Sequence, residues 1–485
     1  MAWLSVIGSF IAMLMSAMDI QITNAAIERI QAAMHAPLAA GYWLSSVYLI
    51  AEIVTLPLTG LLTRMLGLRR YGLIFVCLFM LGSVLCANAW NLGSLICFRA
   101  LQGIASGALA PFAYTLIITK LPVSSHSNAI GIFGATVALG PTLGPGIAGW
   151  LTEIFGWQSL FYINLPIGAL AAAMLNRGLR HDARHDQGPV NFDLLGVVSA
   201  VVGMGCLQYV LGEGYKEHWF ASHIMIGLTV AAVLALAVFV ANELKSSHPL
   251  INLTLFRNSQ LSIACAATAL TCGLLFGSYF LIPYFLITVE SYTPIQIGSV
   301  ILVTGLAQFA ILAASPTIMR RFDLHLVIMA GAALFATSAF VMTAATVDFR
   351  YSWVLFSQIV RGIGQSLMLA PLCVAMTTAV ERKEDAASAG ILFNMSRSLG
   401  GAIGIALLSS YVNARKDAYM AAPPHTSALS AAPERSSYAL AFHDTFLVIA
   451  AGLILIVSVF AVLYSMKRHT VRDELAVGSR VLRDE

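Results

Sequence analysis

Five charged side chains interrupt long apolar segments of this chain. Asp19, Glu52, Arg99, Arg361 and Arg397 each lie inside such a segment. A charge at the centre of a lipid bilayer costs about 2.5–3.5 kcal/mol on insertion scales, so each of these residues is a candidate functional site. Carboxylates in a low-dielectric cavity bind and release protons near neutral pH, and they also attract cations. Asp19 and Glu52 are therefore candidates for exchanging a proton for a cationic ligand.

The same charges have a structural interpretation, in which acids and arginines pair to stabilise a helical bundle. Asp19, near the outer end of its segment, fits both interpretations, whereas the position of Glu52 closer to mid-segment favours a proton or cation role. The side chain of Arg99 cannot reach water at either end of its span unless a water-filled cavity extends to it. Arg361 and Arg397 fit a structural role, in which each binds backbone carbonyls, as well as they fit a functional one.

The composition identifies the class of protein that must position these charges. Of the 485 residues, 59% are hydrophobic and only 10% are charged, and the mean hydropathy is +0.82. A soluble domain carries about a quarter charged residues, so this chain cannot cover its surface with polar groups. Apolar stretches long enough to cross about 30 Å of hydrocarbon recur from end to end. The sequence therefore predicts an all-α polytopic membrane protein.

Fourteen membrane-spanning segments are predicted, with residues 1–27 forming the first permanent span rather than a removable signal peptide. With both termini on one side, eighteen of the 27 Lys and Arg residues fall on that side and six on the other. This asymmetry predicts cytoplasmic termini. The predicted spans are 4–27, 41–63, 71–90, 92–119, 126–154, 158–178, 192–213, 220–244, 259–289, 294–319, 324–346, 350–379, 386–412 and 441–466.

Two similar stretches indicate an internal repeat. FRALQGIASGALAP at 98–111 and VRGIGQSLMLAP at 360–371 each carry an arginine, then glycines, then Ala-Pro. Two six-helix halves with a site between them are typical of secondary transporters. The repeat predicts a first bundle at 1–190, two additional helices at 191–250, and a second bundle at 251–466. An extracytoplasmic loop at 413–440 and a cytoplasmic tail at 467–485 complete the chain.

Neither an enzyme nor a metal site is indicated. The seven cysteines include no Cys-x-x-Cys pair, and no phosphate-binding GxxxxGK[ST] motif or nucleophile–base pair occurs. His181 and His185 have the spacing of metal ligands, but they lie in a short polar connection without further ligands. We expect no cofactor, no metal and no nucleic acid partner.

Four motifs in the first half carry a resemblance to a known family. They are DIQITNAA at 19–26, GLLTRMLGLRR at 60–70, RALQG at 99–103 and GIFGATVALGPTLGPGIAG at 131–149. In the second half, GILFNMSRSLGGAIG at 390–404 extends the similarity. Together they resemble the major facilitator superfamily, in particular its fourteen-span drug:proton antiporters of the EmrB/QacA type. The chain departs from the family pattern at Gln21, Arg64 and Ala148, where the family has a threonine, an acid and a glycine.

The resemblance implies a proton-coupled multidrug efflux transporter that exports lipophilic, cationic or amphipathic compounds by alternating access. It associates Arg99 with proton coupling, beside Asp19 and Glu52. It also favours a hinge and packing role for the glycines and prolines of the fifth span, where ordinary tight helix packing is the alternative. We expect the fifth span to pack on the other half and to line the substrate cavity.

The remaining candidate residues fall into two groups. The substrate-binding candidates are Asp19, Asn24, Trp43, Tyr48, Tyr114, Tyr279, Tyr284, Asn394 and Arg397. The gating candidates are Gly60, Gly67, Arg69, Arg70, Gly140, Gly144, Pro145 and Gly149.

The expected partners are a small-molecule substrate, protons, the lipid bilayer of the inner (plasma) membrane and, in a Gram-negative host, a periplasmic adaptor protein. Three alternatives stay open: an exporter of an anionic lipid, fatty acid or siderophore, a proton-coupled uptake symporter of the same fold, and a membrane-embedded enzyme or receptor.

Overall fold

The computed structural model describes residues 1–35, 43–180, 193–214, 217, 219–246, 251–344, 350–378, 383–421 and 433–484. Within these ranges the chain forms α-helices and short 3-10 turns, without a strand. The helices are α1 Ala2–Ala25, α2 Ile27–Ala33, α3 Trp43–Thr55, α4 Leu58–Leu66, α5 Leu68–Ala87, α6 Leu92–Lys120, α7 Val123–Phe155, α8 Ser159–Tyr162, α9 Asn164–Gly178, α10 Leu194–Glu213, α11 His223–Lys245, α12 Ser259–Thr288, α13 Pro294–Arg321, α14 Leu324–Thr343, α15 Tyr351–Thr378, α16 Lys383–Ala421 and α17 Pro433–Asp484.

Each predicted span coincides with one of these helices or with a pair of them. The second span is broken into α3 and α4, which meet at an angle of 63°. Pro57 lies at this break, where it cannot donate the backbone hydrogen bond that would continue α3. Gly67 and Gly156, with φ of +76° and +80°, end α4 and α7 in a conformation that side chains rarely adopt.

Eleven helices of the described part are long and apolar enough to cross a membrane, or twelve if the bent pair α3–α4 is one span. The long helices α7 and α13 are not among these eleven, and the structure does not describe some of their side chains. The all-α membrane fold is therefore confirmed, whereas fourteen spans and cytoplasmic termini stay predictions.

The segment 413–440, predicted to be a loop, is partly helical. Helix α16 continues to Ala421 and α17 begins at Pro433, so both ends of the predicted loop are helical. Arg415 and Tyr419 of α16 both bind Asp444 of α17, with the guanidinium Nη2 2.6 Å and the phenol oxygen 2.8 Å from Oδ2. These polar contacts hold the two helices together beyond their apolar segments. The Ala, Pro and Ser content from which the loop was predicted did not indicate these helical ends, and residues 422–432 lie outside the described residues.

Helices α1–α9, here called the first bundle, and α12–α17, the second bundle, pack in the same way. In the first bundle α1 contacts α6, α7 and α9, α6 contacts α3 and α5, and α5 contacts α9. In the second bundle α12 contacts α15, α16 and α17, α15 contacts α13 and α14, and α14 contacts α17. Each pairing therefore has a counterpart at the corresponding position of the other bundle.

The bundles meet along two seams. Helix α7 packs on α13 and α15, and α16 packs on α6, α3 and α4. Helix α10 contacts α3 and α16, one from each bundle, and packs extensively against α11. The additional helices thus cover one of the two seams.

The sequence led us to expect that Gly140 and Gly144 of α7 face the second bundle. In the structure they face α1 of their own bundle instead. Gly140 packs on Ala17 of α1, and Gly144 packs on Met18 and Gln21 of the same helix. The missing side chains let α1 and α7 of one bundle approach closely. The second bundle is contacted by other glycines of α7. Gly134 lies against Ala370 of α15, and Gly146 lies about 4 Å from α13.

Candidate functional site

Asp19 and Arg99 form an ion pair inside the first bundle. Oδ2 of Asp19 on α1 binds Nη1 of Arg99 on α6, and both side chains are almost completely buried. Removing one member of a buried ion pair typically destabilises a protein by about 3–5 kcal/mol, because the other charge stays without a partner. The two charges therefore depend on each other.

Three neutral side chains complete the coordination of this pair. Gln102 donates to Oδ1 of Asp19 at 3.0 Å and accepts from Nη1 of Arg99 at 2.8 Å. Asn164 on α9 donates to the same Asp19 oxygen at 2.7 Å. The amides of Gln102 and Asn164 also donate to the hydroxyl of Ser83 on α5, at 2.9 and 3.1 Å. Arg99, Gln102 and Asn164 thus all donate to the Asp19 carboxylate, and Ser83 of α5 supports the two amides from behind.

The spacing of the RALQG motif follows from this geometry. Arg99 and Gln102 are three residues apart on α6, so both face Asp19 from one side of the helix. Gly103 lies directly against the carbonyl oxygen of Tyr48, where a Cβ atom has no room. The Tyr48 ring covers the guanidinium of Arg99, with 4.2 Å from Cζ to the ring centroid. The glycine therefore brings α3 close enough to seal the pair.

Glu52 and Arg397 form a second acid–base pair, which lies in a cavity and connects the bundles. Oε1 of Glu52 on α3 is 3.8 Å from Nη2 of Arg397 on α16, and about one-eighth of each side chain is exposed. This distance is longer than an ordinary hydrogen bond. Gly107 lies against the carbonyl of Glu52, so α6 supports this part of α3 as well. The pair is therefore looser and more accessible than Asp19–Arg99.

The cavity has a mixed polar and apolar wall drawn from six helices. The space open to the centres of water-sized molecules is about 120 Å³. Glu52 and Arg397 are the only charged side chains among its described lining residues. Asn24, at its rim, is exposed. The lining is Met13, Ser16, Ala17, Ile20, Gln21, Asn24, Leu49, Glu52, Ile53, Ser106, Ala110, Gln208, Phe276, Arg397, Ser398, Gly401, Ala402 and Ile405.

The two bundles are closed against each other at the face where α1 begins, here called the N-terminal face. Phe133 of α7 packs on Tyr114 of α6 and on Phe393 of α16, with ring centroids 5.8 and 6.2 Å apart. Gly390 of α16 accommodates the Tyr114 ring. Arg320 of α13 donates to the Asn128 side chain of α7 at 3.3 Å. The cavity lies beyond this closure, toward the opposite face.

Arg361 occupies the position in the second bundle that corresponds to Arg99. It is 3% exposed, and none of the described carboxylates lies within 4.0 Å of it. Nη1 donates to Gln358 at 2.9 Å, and the guanidinium lies 4.6 Å from the centroid of the Tyr279 ring. Amide and phenol groups thus surround this arginine instead of an acid.

Of the predicted substrate-binding residues, Asn24 and Arg397 line the cavity and the others lie elsewhere. Asp19 and Tyr48 belong to the sealed cluster, and Tyr114 belongs to the closure at the N-terminal face. Trp43 packs on Tyr209, Tyr279 covers Arg361, Tyr284 packs on Tyr438, and Asn394 donates to the Gly390 carbonyl. No described residue of α7 is among the lining residues of this cavity.

The predicted gating residues lie within the first bundle. Arg69 donates to Asn176 of α9 at 2.6 Å, and Arg70 is exposed. Arg64, which replaces the family's acid, donates to the carbonyl of Gly60 at 3.2 Å. Gly149 has open space around it, and the side chain of Pro145 lies outside the description. His181 and His185 also lie outside the described residues.

Sequence reasoning missed several polar residues of these sites. Ser83 and Asn164 bind in the Asp19 cluster, and Ser16 and Gln208 line the cavity, beside the apolar Phe276, which was also missed. A signal was present for Asn164 and Gln208, since uncharged polar side chains in apolar spans commonly bond across helices. Gln208 was nevertheless missed, because its helix α10 was considered external to both bundles.

The comparisons with known proteins agree with this architecture. The family model described as Major Facilitator Superfamily matches residues 9–405. The chain is 31% identical to the colistin resistance protein EmrB of Acinetobacter baumannii, covering 84% of this chain and 78% of that protein. It is 30% identical to the fatty acid resistance protein FarB of Neisseria gonorrhoeae, covering 84% and 80%. It is 29% identical to the multidrug export protein EmrB of Escherichia coli K12, covering 82% and 78%.

A solved structure supports the same fold. The crystal structure of the human organic anion transporter MFSD10 (TETRAN) superimposes with a TM-score of 0.61 over 93% of this chain and 99% of that chain. At 12% sequence identity, this similarity concerns the fold alone. The extent of the family match and the identity to the curated relatives establish the larger assignment: the chain belongs to the Major Facilitator Superfamily.

Proposed function

We propose that this protein is a proton-coupled multidrug efflux transporter of lipophilic cationic or amphipathic compounds. The observation that supports this most directly is the position of Glu52, an accessible carboxylate in a cavity between the two bundles. The names of its relatives, which include multidrug export proteins, agree with export.

Competition for one carboxylate explains how proton and substrate exchange. A cation that binds ionised Glu52 excludes a proton from it, and a proton that binds first removes the charge that attracts the cation. Each transport cycle would therefore carry either a proton or a substrate on Glu52. The sealed Asp19–Arg99 pair would contribute by adjusting the electrostatic potential at Glu52, since the charge of Arg99 acts on this carboxylate.

The structure has the features of one state of alternating access. The bundles are joined at the N-terminal face by Phe133, Tyr114 and Phe393, and the cavity rim at Asn24 is exposed on the other side. With cytoplasmic termini, this arrangement corresponds to an outward-facing state. Opening of the aromatic closure would then expose Glu52 to the cytoplasm.

The test is proton movement in liposomes that contain the purified full-length protein and a pH-sensitive dye. Lipophilic cations and fatty acids are added separately to wild type, Asp19→Asn and Glu52→Gln under an imposed pH gradient. We expect cations to dissipate the gradient in wild type and Glu52→Gln to slow this by at least about tenfold. Asp444→Asn, which removes an acid outside the cavity, is the matched control. Cation-driven proton movement that is unchanged in both cavity and cluster variants would refute this mechanism.

A second candidate is an exporter of anionic amphiphiles such as fatty acids. Arg397 supports it, because a guanidinium in the cavity can bind a carboxylate. A relative named for fatty acid resistance agrees with this possibility. In the liposome assay, a response to fatty acids alone that is lost in Arg397→Gln would favour this candidate over the first.

The remaining features of the proposal concern organisation and location. We place residues 1–190 and 251–466 in two six-span bundles with two additional spans at 191–250, which the matched helix pairings support. Both termini would face the cytoplasm of the inner membrane. A periplasmic adaptor would bind, if the host is Gram-negative, at the helical ends of α16 and α17.

A further inference from the structure

Glu52 and Arg397 differ from every other described ion pair of the protein in connecting the two bundles. Asp19–Arg99 lies within the first bundle, and Arg415–Asp444 lies within the second. The atoms of the Glu52–Arg397 pair are 3.8 Å apart, without the short contacts that hold Asp19. A loose pair between two bundles can separate without breaking a network of hydrogen bonds.

The pair also determines the net charge of the cavity. The other lining side chains are apolar or uncharged, and they include Met13 and Phe276, which suit a lipophilic ligand, and Gln21 and Gln208, which can hydrogen-bond. Behind the wall, the charges of Asp19 and Arg99 balance each other. The cavity therefore has one negative and one positive group, and its net charge is zero when both are ionised.

We propose that the Glu52–Arg397 pair is the charge selector of the cavity, with Arg397 as the specificity-determining residue. A lipophilic monocation must displace the guanidinium of Arg397 in order to bind Glu52, so Arg397 lowers the affinity of the cavity for monocations. Dications are excluded, because Glu52 is the single negative group of the described lining and Arg397 repels a second positive charge. Specificity in such a site comes from the unfavourable charge as well as the favourable one. This inference rests on the proposed function, because it concerns the same cavity.

Removing either charge should change the preference of the cavity between cations and anions. Loss of Arg397 should strengthen the preference for cations, and loss of Glu52 should reverse it. Arg397→Gln leaves Glu52 without a competitor and gives the cavity a net charge of −1. Glu52→Gln leaves Arg397 free and gives a net charge of +1, which favours an amphipathic carboxylate. The double variant restores neutrality, so its preference between cation and anion should return toward that of wild type.

The experiment measures binding to the purified full-length protein in detergent, without a pH gradient, by fluorescence anisotropy. The probes are a fluorescent lipophilic monocation, a dication of similar structure and a fluorescent fatty acid analogue. We expect Arg397→Gln to bind the monocation at least about tenfold more tightly than wild type and to bind the dication detectably. We expect Glu52→Gln to weaken monocation binding at least about tenfold and to strengthen fatty acid binding by a similar factor.

Two sets of controls make the outcome decisive. Arg397→Lys and Glu52→Asp keep each charge and should retain the wild-type preference, even if a neutral variant fails to fold. Arg415→Gln on the same helix and Asp444→Asn break an ion pair outside the cavity and should leave all three affinities unchanged. Affinities of folded Arg397→Gln and Glu52→Gln within about twofold of wild type would overturn the selector.

Binding and transport failures are distinguishable. If Arg397→Gln binds all three probes like wild type, while Glu52→Gln weakens cation binding and abolishes cation-driven proton movement, the selector fails and the transport mechanism stands. If the charge preferences change as expected but no ligand moves protons, the selector stands and proton-coupled efflux fails.

Discussion

Arg99 and Arg361 lie at corresponding positions of the two bundles, but their surroundings differ in charge. Arg99 has a carboxylate partner in Asp19, to which Gln102 and Asn164 also donate, and the Tyr48 ring covers the guanidinium. Arg361 is equally buried, yet its described neighbours are Gln358 and the ring of Tyr279. The repeat has thus kept the arginine in both bundles and the acid in only one.

The difference separates two uses of a buried arginine. In the first bundle the arginine belongs to a charge-balanced cluster with the carboxylate of Asp19. In the second bundle no described acid can respond to a proton beside Arg361, so this site has the character of a fixed structural element. In the proposed mechanism, the proton-dependent chemistry is therefore concentrated on the first bundle, and the second contributes Arg397 to the cavity.

The largest expected effect comes from breaking the sealed pair. Arg99→Gln leaves Asp19 buried without a cation, so we expect a loss of about 3–5 kcal/mol of stability and of proton-coupled transport. Thermal unfolding in detergent and the liposome assay measure these two effects. The double variant Asp19→Asn/Arg99→Gln should recover most of the stability but none of the transport. Equal stability of single and double variants would show that the two charges do not depend on each other.

An intermediate effect should come from helix contacts that both bundles form with glycine. Gly404 of α16 lies against the backbone carbonyl of Gly273 on α12, and Gly140 of α7 lies against the Ala17 methyl carbon on α1. Overpacking typically costs about 1–3 kcal/mol. We expect Gly404→Ala to lower the unfolding temperature more than Gly140→Ala, because a Cβ atom on Gly404 would clash with three backbone atoms of Gly273, whereas one on Gly140 would clash with a single atom of Ala17.

Gly227→Ala on α11 is the control for the glycine variants. A Cβ atom added at Gly227 would meet no atom of another part of the chain within 4 Å. Because alanine is also the better helix former by about 1 kcal/mol, this variant should be at least as stable as wild type. The reverse order for Gly404→Ala and Gly140→Ala would mean that the α1–α7 contact is the more rigid of the two.

The smallest expected effect comes from the arginine without an acid. Arg361→Gln removes a buried charge that no described carboxylate balances, so its stability should stay within about 1 kcal/mol of wild type or increase. Thermal unfolding of Arg361→Gln and Arg99→Gln in the same detergent compares the two losses of stability directly. A loss as large as that of Arg99→Gln would break the comparison, because it would mean that Arg361 has an anionic partner of its own.

Much of the site could be anticipated from the residue types alone. Asp19, Glu52, Arg99 and Arg397 were all identified because charges are rare in apolar spans, and the RALQG spacing placed Arg99 and Gln102 on one helix face. The aromatic candidates do not line this cavity. Tyr48, Tyr114 and Tyr279 pack in the interior of the protein, since an apolar helix between lipid and protein carries little information about which face points inward.

The sequence by itself determined that this protein lies in a membrane, which helices it forms and which few charges need partners. Composition and hydropathy are sufficient for this, because an isolated charge in hydrocarbon is unfavourable wherever it lies. Only the tertiary structure decided that Asp19 belongs to Arg99 while Glu52 faces Arg397 across the cavity. Either acid could neutralise either arginine at a distance, and the choice depends on close helix approaches at Gly103 and Gly107 that no pattern of single residues specifies.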